Sequence, residues 1–260
     1  MTWLEVCRAA RDDVARVLEE LPGRAEREPV LGAGEGGDDT TAIDAAAERV
    51  IIDRFKDEDV RIVSEEAGLV GEGRWRVVVD PIDGSLNAKR GIPFFSISIA
   101  VAEGLTYGDV AFAYVFDYGS REEWTATRGG GAFVDGEPLR ERPKDELEIV
   151  SFEATTTTYI ADNAERMRGV AHRLRIMGSL AISLCHLAAG RIDGVVSLKG
   201  ARSVDIAAAQ LLVTERGFAI ELPDAGTPFA EAPLDLEPRS RVVAAGTPEL
   251  CTRLTHALTH

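Results

Sequence analysis

The segment Val77-Val78-Val79-Asp80-Pro81-Ile82-Asp83-Gly84-Ser85-Leu86-Asn87 contains the pattern that decides the fold. Its valines predict a buried strand, since a short apolar run bounded by turn-forming residues is typical of a covered sheet. Pro81 and Gly84 predict a tight turn that ends the strand and brings the carboxylates of Asp80 and Asp83 together. Two carboxylates at short range repel unless a cation lies between them, and Mg²⁺ binds such oxygens. The segment therefore indicates either a metal site or an ordinary Asp-rich turn.

The composition is that of an acidic globular protein. The chain has 260 residues, is 45% hydrophobic and carries a formal charge of -15. This length fits one compact unit or two small lobes that share a core. The acidic balance argues against nucleic-acid binding, which needs a basic surface. The sequence lacks an apolar run of about 18 residues, and residues 1–5 do not resemble a signal peptide, so we expect a cytoplasmic protein without a membrane span.

The first half of the sequence predicts two helices and a series of strands. Thr2 can cap a first helix that ends at Pro22-Gly23, and Thr40 or Thr41 can open a second. Asp135-Gly136 is typical of a hairpin turn. The predicted strands are 60–63, 77–79, 94–101, 109–118 and 122–127.

After about Lys144, strands and helices alternate along the sequence. The predicted strands are 148–152, 173–176, 194–197, 218–221 and 241–245, and the predicted helices are 162–170, 179–189, 205–216 and a last one from Pro248. This alternation predicts a smaller and more parallel sheet. We therefore expect an α/β protein with α+β character in its first half. Its N-terminal lobe (1–145) would carry most metal ligands, and its C-terminal α/β lobe (146–260) would add Asp205 and substrate contacts.

Three further acidic clusters accompany the two aspartates of the opening segment. They are Asp44 with Glu48, Glu65 with Glu66, and Asp205. Each cluster has an ordinary alternative, respectively a solvated helix face, a surface turn and a helix cap. Functional groups of layered α/β proteins nevertheless gather where strands end and helices begin, which is where these clusters are predicted.

In this order, the acidic clusters resemble those of the inositol monophosphatase and fructose-1,6-bisphosphatase family. The most specific parts are residues 80–87 followed by Pro93-Phe94, and residues 204–208 followed by 213–217. The segment 178–193 matches the family's helix in the second lobe, so the resemblance covers nearly the whole chain. It implies a layered α-β-α-β-α sugar-phosphatase fold with a larger, mostly antiparallel sheet and a smaller, more parallel one. It also implies a homodimer.

The resemblance further implies a ligand set for two Mg²⁺ ions, with a weaker third ion near Glu65. Glu65, Asp80 and the backbone carbonyl of Ile82 would hold the first ion, and Asp80, Asp83 and Asp205 would hold the second. Two ions on a shared carboxylate can stabilise the attacking and leaving oxygens of a phosphoryl transfer and lower the pKa of a bound water. The resemblance therefore implies a Mg²⁺-dependent phosphatase that hydrolyses a small phosphate ester without a protein nucleophile.

The family pattern also assigns catalytic and phosphate-binding residues. Glu65, together with Ser85 coupled to Asp44, would orient the attacking water. The backbone N–H groups of Gly84 and Ser85 would bind the phosphate. The family usually has threonine at the position of Ser85, and the lost methyl group leaves the serine hydroxyl more rotamers.

The sequence leaves fructose 1,6-bisphosphate and inositol 1-phosphate open as substrates. Leu198 stands where inositol-specific members have a glutamate, and the nearby cations Lys199 and Arg202 resemble archaeal members that act on both compounds. The candidate substrate contacts are Gly178, Ser179, Tyr159, Arg173, Arg175 and Arg202, although any one arginine can instead be a solvated surface residue. The alternatives are a 3'-phosphoadenosine 5'-phosphate phosphatase and a non-catalytic regulatory protein of the same fold.

Overall fold

The structure is a computed structural model that describes residues 2–35, 39–153, 156–237 and 240–259. Its α-helices are α1 (Trp3–Glu20), α2 (Arg24–Arg27), α3 (Ala42–Phe55), α4 (Ser85–Arg90), α5 (Thr157–Ala164), α6 (Leu180–Ala188), α7 (Ser203–Ile206), α8 (Ala209–Glu215) and α9 (Pro248–Thr259). Short 3₁₀ turns lie at Tyr107–Asp109, Glu165–Met167 and Phe229–Glu231. No helix in the described ranges combines the length and the apolar character needed to cross a bilayer.

The first half of the chain forms a small hairpin and the larger sheet. The hairpin consists of β1 (Val30–Ala33) and β2 (Asp39–Thr41), and the sheet consists of β3 (Val60–Ser64), β4 (Gly68–Val70), β5 (Trp75–Asp83), β6 (Ser96–Ala102), β7 (Val110–Asp117), β8 (Glu123–Thr127), β9 (Gly131–Val134) and β10 (Glu137–Pro138). The sheet order is β10-β9-β8-β7-β6-β5-β3-β4. All its neighbouring strands are antiparallel except β3 and β5. The predicted larger, mostly antiparallel sheet is confirmed.

The second half of the chain forms the smaller sheet. Its strands are β11 (Ile149–Glu153), β12 (Arg173–Arg175), β13 (Gly194–Ser197), β14 (Ala219–Glu221) and β15 (Val243–Ala245), in the order β12-β11-β13-β15-β14. The pairs β12–β11 and β11–β13 are parallel, and the pairs with β15 are antiparallel. The sheet is therefore more parallel than the larger one, as predicted, but mixed. The division into domains at residues 145 and 146 stays a prediction.

Alternating side chains connect the layers into one stack. Successive residues of a strand point to opposite faces of the sheet. Val77 and Val79 of β5 accordingly belong to the core beneath α1 and α3, whereas Val78 belongs to the core around α6 and α8. In the smaller sheet, Val195 faces that same central core and Val196 faces the outer core with α9. These contacts confirm the predicted α-β-α-β-α order.

Two predicted helices of the second half have different bounds in the structure. The helix predicted at 162–170 begins earlier, because Thr156 caps α5 by accepting a hydrogen bond from the Tyr159 N–H. The helix predicted at 205–216 begins at Ser203 and is divided into α7 and α8. At the division, the Leu211 N–H bonds to the Ala208 carbonyl three residues back, which tightens the helix locally.

Candidate metal centre and cavity

A β-bulge in β5 places Asp80 and Asp83 at the centre of the candidate site. Asp80 pairs with Ser98 and Asp83 with Ser96, so β5 has one residue more than β6 between these two pairs. In a regular strand, side chains three residues apart point to opposite faces, and the extra residue of a bulge changes this alternation. Both aspartates are buried and both line the same cavity.

The same bulge corrects the predicted end of the strand. We expected Pro81 to end the strand after Val79, but β5 continues to Asp83. Proline cannot donate a ladder hydrogen bond and is tolerated where the ladder is interrupted. The next N–H, that of Ile82, instead donates to Asp80 Oδ1 at 3.0 Å. Ile82 is buried and lines the cavity, and the role of its carbonyl as a metal ligand stays a prediction.

Asp83 also contacts the N-terminus of α6 in the smaller lobe. Its Oδ2 accepts a hydrogen bond from the Ala181 N–H at 2.8 Å and another from the Ser179 hydroxyl. Ser179 in turn caps α6 by accepting from the Ile182 N–H at 3.2 Å. The Ser179 side chain is buried in this link and is not among the residues that line the cavity, and its role as a substrate contact stays a prediction.

The turn between Asp83 and α4 requires glycine. Gly84 has a φ of +86°, a left-handed conformation that other residues rarely adopt. A Cβ at this position would lie 3.0 Å from the carbonyl oxygens of both Phe94 and Gly178. Gly84 and Gly178 both line the cavity, where they were predicted to contact substrate.

Glu65 and Asp205 line the cavity from different halves of the chain and share a cationic neighbour. Glu65 follows β3, and Asp205 lies in α7, where its Oδ2 accepts from the Arg202 N–H at 2.7 Å. The Arg202 Nη2 lies 2.5 Å from Glu65 Oε1 and 3.5 Å from Asp205 Oδ1. The guanidinium therefore contacts the predicted metal ligands themselves, which does not support its predicted role at a second phosphate.

Burial, and then neighbouring carboxylates, raise the pKa of Glu65, Asp80 and Asp83. Burial raises the pKa of Glu65 to about 7, and the charges of Asp205 and Glu66 contribute although Arg202 opposes them. Burial also raises the pKa of Asp83 to about 7, against the hydrogen bonds from Ser179 and Ala181. The pKa of Asp80 is raised well above its ordinary value, by burial and then by the charges of Glu65, Asp83 and Asp205. The titration of Asp80 therefore depends on the charges of its acidic neighbours.

A lysine lies between Asp44 and Ser85. The Lys89 Nζ is 2.9 Å from Asp44 Oδ2 and 3.5 Å from Ser85 Oγ. Asp44 Oδ2 also accepts from the Thr41 hydroxyl at 2.5 Å, within the capping box of α3. In the described residues, Asp44 and Ser85 have no direct hydrogen bond, Lys89 contacts both, and their catalytic coupling stays a prediction.

The predicted metal ligands, together with Asp44, Ser85, Lys89 and Arg202, all line one cavity of about 370 Å³. Its acidic lining residues are Asp39, Asp44, Glu65, Glu66, Asp80, Asp83, Glu153 and Asp205, and its basic ones are Lys89, Lys199 and Arg202. The acidic excess needs compensating cations, because buried carboxylates are costly when they are unpaired.

The donor set fits Mg²⁺. Oxygen atoms of carboxylates and carbonyls are the ligands this ion prefers, and an ion between the carboxylates would reverse the pKa shifts that their repulsion causes. In the described residues, no three His, Cys, Asp or Glu side chains are arranged tightly enough to hold a metal ion. The Arg202 guanidinium contacts both Glu65 and Asp205, two of the predicted ligands.

Three predicted substrate contacts lie away from the cavity. Tyr159 is in α5, and Arg173 and Arg175 are exposed in the edge strand β12, where Arg173 pairs with Glu148 at 3.2 Å. Their prediction rested on residue type, and their role as substrate contacts stays a prediction.

Among the cavity residues that the sequence reasoning missed are Lys89 and Glu153. Glu153 is buried at the end of β11 and accepts hydrogen bonds from the Gly178 N–H at 2.9 Å and the Ser183 hydroxyl at 2.8 Å. Its position at a strand end was an available signal. Lys89 was recognisable as one of only four lysines and as the residue four positions after Ser85.

The chain is similar to known phosphatases over nearly all of its length. It is 31% identical over 246 residues to a fructose-1,6-bisphosphatase/inositol-1-monophosphatase of Archaeoglobus fulgidus, covering 93% of this chain and 92% of the relative. It is 29% identical to the Nus factor SuhB of Vibrio cholerae, covering 88% of this chain and 86% of that protein. A crystal structure of an inositol monophosphatase–fructose 1,6-bisphosphatase superposes with a TM-score of 0.87 at 25% identity, covering 99% of this chain and 100% of the other.

The layered fold and the carboxylate-lined cavity, together with these similarities, define a metal-dependent phosphatase. The family model described as the inositol monophosphatase family matches residues 3–260. The chain therefore belongs to the inositol monophosphatase family, and the resemblance found in its sequence is confirmed.

Proposed function

We propose that this phosphatase uses Mg²⁺ to hydrolyse the monoester of a small sugar or polyol, with fructose 1,6-bisphosphate and inositol 1-phosphate as its candidate substrates. The observation that carries the proposal is the convergence of Glu65, Asp80 and Asp83 with Asp205 of the other lobe on one acidic cavity. The names of several relatives, which pair these two activities, support the choice of substrates.

The carboxylates divide into two overlapping ligand sets. Glu65, Asp80 and the Ile82 carbonyl would hold one Mg²⁺, and Asp80, Asp83 and Asp205 would hold a second, with a weaker third ion near Glu65. When bound, the ions supply positive charge to the phosphoryl oxygens and lower the pKa of the attacking water. Asp80 suits the shared position, because its pKa responds to the charges of Glu65, Asp83 and Asp205 together.

The remaining roles belong to groups of the chain itself. Glu65 orients the attacking water from the end of β3, and the Gly84 turn presents backbone N–H groups to the phosphate. Ser85, at the first position of α4, adds a hydroxyl beside Lys89. Water attacks the phosphorus, the ester oxygen leaves with a proton, and inorganic phosphate and the alcohol are released.

Lys199 is the residue that we assign to substrate discrimination. It lines the cavity, its side chain is exposed, and within the described ranges it forms no ion pair. Lys89 and Arg202, in contrast, already contact carboxylates. A cation without a carboxylate partner can bind a second anionic group of the substrate, which fructose 1,6-bisphosphate has and inositol 1-phosphate lacks. Lys199→Met should therefore raise KM for the bisphosphate and leave KM for the monophosphate unchanged.

The decisive experiment measures phosphate release from fructose 1,6-bisphosphate, inositol 1-phosphate and 3'-phosphoadenosine 5'-phosphate, each with Mg²⁺ and with EDTA. We expect Mg²⁺-dependent release from at least one of the first two. Asp83→Asn is the matched inactive variant, and its rate should fall by orders of magnitude. Release from the nucleotide alone would favour the alternative phosphatase, and no release from any compound would refute the proposal.

A non-catalytic regulatory role is the second candidate, because one relative is named as a Nus factor. The complete set of acidic groups in the cavity supports catalysis instead, since a protein without turnover has no need to maintain so costly an arrangement. A cytoplasmic location and a homodimer are proposed on the family resemblance. Size-exclusion chromatography with light scattering would test the homodimer.

A further inference from the structure

Two neighbouring basic residues of α4 have different surroundings. Lys89 lines the cavity and its side chain is 12% exposed, whereas the Arg90 side chain is 46% exposed and pairs with Glu28 outside the cavity. The Lys89 ammonium lies 2.9 Å from Asp44 Oδ2. Burying a lysine is costly unless a partner compensates its charge, so this ion pair holds the ammonium in the cavity wall.

The backbone fixes the position of Lys89. It lies four residues after Ser85, so the two side chains share one face of α4. The Arg27 guanidinium donates to the Ala88 carbonyl at 2.7 Å and to the Leu18 carbonyl at 2.9 Å, which joins α4 to the end of α1. These contacts restrict the position of the Lys89 ammonium.

The hydrogen-bond chemistry of lysine determines what Ser85 can do. An ammonium group only donates, so both Asp44 Oδ2 and Ser85 Oγ accept from Lys89. Asp44 Oδ2 also accepts from the Thr41 hydroxyl and the Thr41 N–H. Ser85 lines the cavity and its oxygen accepts from Lys89, so its hydroxyl hydrogen is available for a group bound there.

Lys89 and Arg202 neutralise different acidic groups of the cavity. Arg202 pairs with Glu65 and Asp205, whereas Lys89 pairs with Asp44. An anionic substrate is repelled by the surrounding carboxylates, and a fixed cation near its phosphoryl group reduces that repulsion.

We infer that Lys89 is a phosphate-positioning residue, whose ammonium faces the phosphoryl group from the Asp44 side and holds Ser85 so that its hydroxyl donates to that group. This inference rests on the proposed phosphatase function and adds a residue that the family pattern does not assign. It also changes the role of Ser85 from a link between water and Asp44 to a donor toward the phosphate.

The primary test is the affinity for inorganic phosphate, measured by calorimetry at saturating Mg²⁺. We expect Lys89→Met to raise the Kd at least tenfold. Arg90→Met removes the same charge from the adjacent position outside the cavity and should leave the Kd within twofold of the wild type. An unchanged Kd in Lys89→Met would overturn the inference.

A second variant separates phosphate binding from stability. Lys89→Met alone leaves the buried Asp44 carboxylate unpaired, which destabilises the fold. Asp44→Asn/Lys89→Met removes both charges, so we expect it to melt near the wild-type temperature while phosphate binding stays weak. Recovery of wild-type affinity in this double variant would mean that Lys89 only neutralises Asp44, and the inference would be wrong.

The dependence on Ser85 is tested by a double-mutant cycle in the same phosphate-binding assay. If Lys89 acts partly through Ser85, the effects of Ser85→Ala and Lys89→Met will be less than additive in free energy. Full additivity would refute the orienting role. Because the readout is phosphate binding, it stays informative even if the wild type hydrolyses none of the candidate substrates, a result that would refute only the proposed function.

Discussion

The Asp83 carboxylate and the Ala181 N–H lie 2.8 Å apart, and this hydrogen bond joins β5 of the larger sheet to α6 beneath the smaller one. The same Asp83 oxygen accepts from the Ser179 hydroxyl. Asp83 therefore connects β5 with the N-terminus of α6 and is also a proposed metal ligand. Stability and metal binding are linked at this residue, which makes the pH dependence of folding informative.

Without Mg²⁺, we expect the stability of the protein to fall as the pH rises from about 5.5 to 8. Burial raises the pKa of Asp83 from 3.8 and that of Glu65 from 4.5, each to about 7. The folded state thus binds more protons than the unfolded state in this window, so unfolding becomes easier as those protons are lost. Carboxyls with a lowered pKa, such as Asp224, are fully ionised throughout the window. Urea denaturation in EDTA at several pH values measures the slope.

Asp83→Asn is the control for this pH dependence. The variant lacks one of the groups with a raised pKa, so its stability should fall less steeply with pH than that of the wild type. Adding Mg²⁺ should stabilise the wild type increasingly at higher pH, because the ion binds the deprotonated carboxylates, and should stabilise the variant less. Equal slopes for the two proteins in EDTA would contradict the assignment.

Arg202→Met should strengthen Mg²⁺ binding, because the guanidinium contacts Glu65 and Asp205, two of the proposed ligands. We expect the Kd for Mg²⁺ to fall about tenfold, equivalent to about 1.4 kcal/mol. Calorimetric titration with Mg²⁺ in the absence of phosphate measures this affinity. Arg173→Met, which removes an exposed ion pair with Glu148 far from the cavity, should leave it unchanged. Weaker Mg²⁺ binding in Arg202→Met would show that the arginine supports the metal site.

Gly84→Ala should destabilise the protein and lower its activity more than Gly91→Ala. Both glycines have positive φ angles, +86° and +71°, at the two ends of α4. An added Cβ at Gly84 meets two carbonyl oxygens at 3.0 Å, whereas one at Gly91 meets nothing within 4 Å. The backbone strain alone costs about 1–2 kcal/mol. Gly84→Ala should therefore lower the free energy of unfolding by more than this amount, and Gly91→Ala should not. Urea denaturation of both variants tests the difference, and equal costs would argue against close packing at the turn.

Ser85→Thr should retain activity, and Ser85→Ala should lose it. Removing a hydroxyl that donates to the phosphoryl group costs about 100-fold in kcat, by analogy with other lost transition-state donors. Threonine keeps the hydroxyl and restricts its rotamers, so we expect kcat equal to or above that of the wild type. Steady-state kinetics on the better of the two candidate substrates gives both values. A wild-type kcat in Ser85→Ala would remove this residue from the mechanism.

Local sequence signals predicted most of the secondary structure. Thr2 and Ser179 cap α1 and α6 with their side chains, and Asp135-Gly136 turns between β9 and β10 with two positive φ angles. The hairpin of β1 and β2 was predicted as part of a glycine-rich loop over 32–37, of which residues 36 and 37 lie outside the described ranges. Its pairing depends on contacts between distant residues, such as the Glu35 N–H with the Glu66 carbonyl.

The acidic residues of the site were predictable because their types and order resemble a family, but their electrostatic partners were not. Lys89 and Arg202 contact carboxylates 45 and 137 residues away in sequence. Glu153 lies in β11 and binds backbone groups before α6. Such contacts follow from how the two sheets are placed, which no local pattern specifies.

The bulge in β5 limits the insertions and deletions that homologous sequences can tolerate in this strand. One additional residue between Asp80 and Asp83, relative to β6, sets which way both side chains point. A single insertion or deletion there would rotate one aspartate out of the cavity without changing any amino-acid type. Among functional members, substitutions within these four positions should therefore be found more readily than any change in their number.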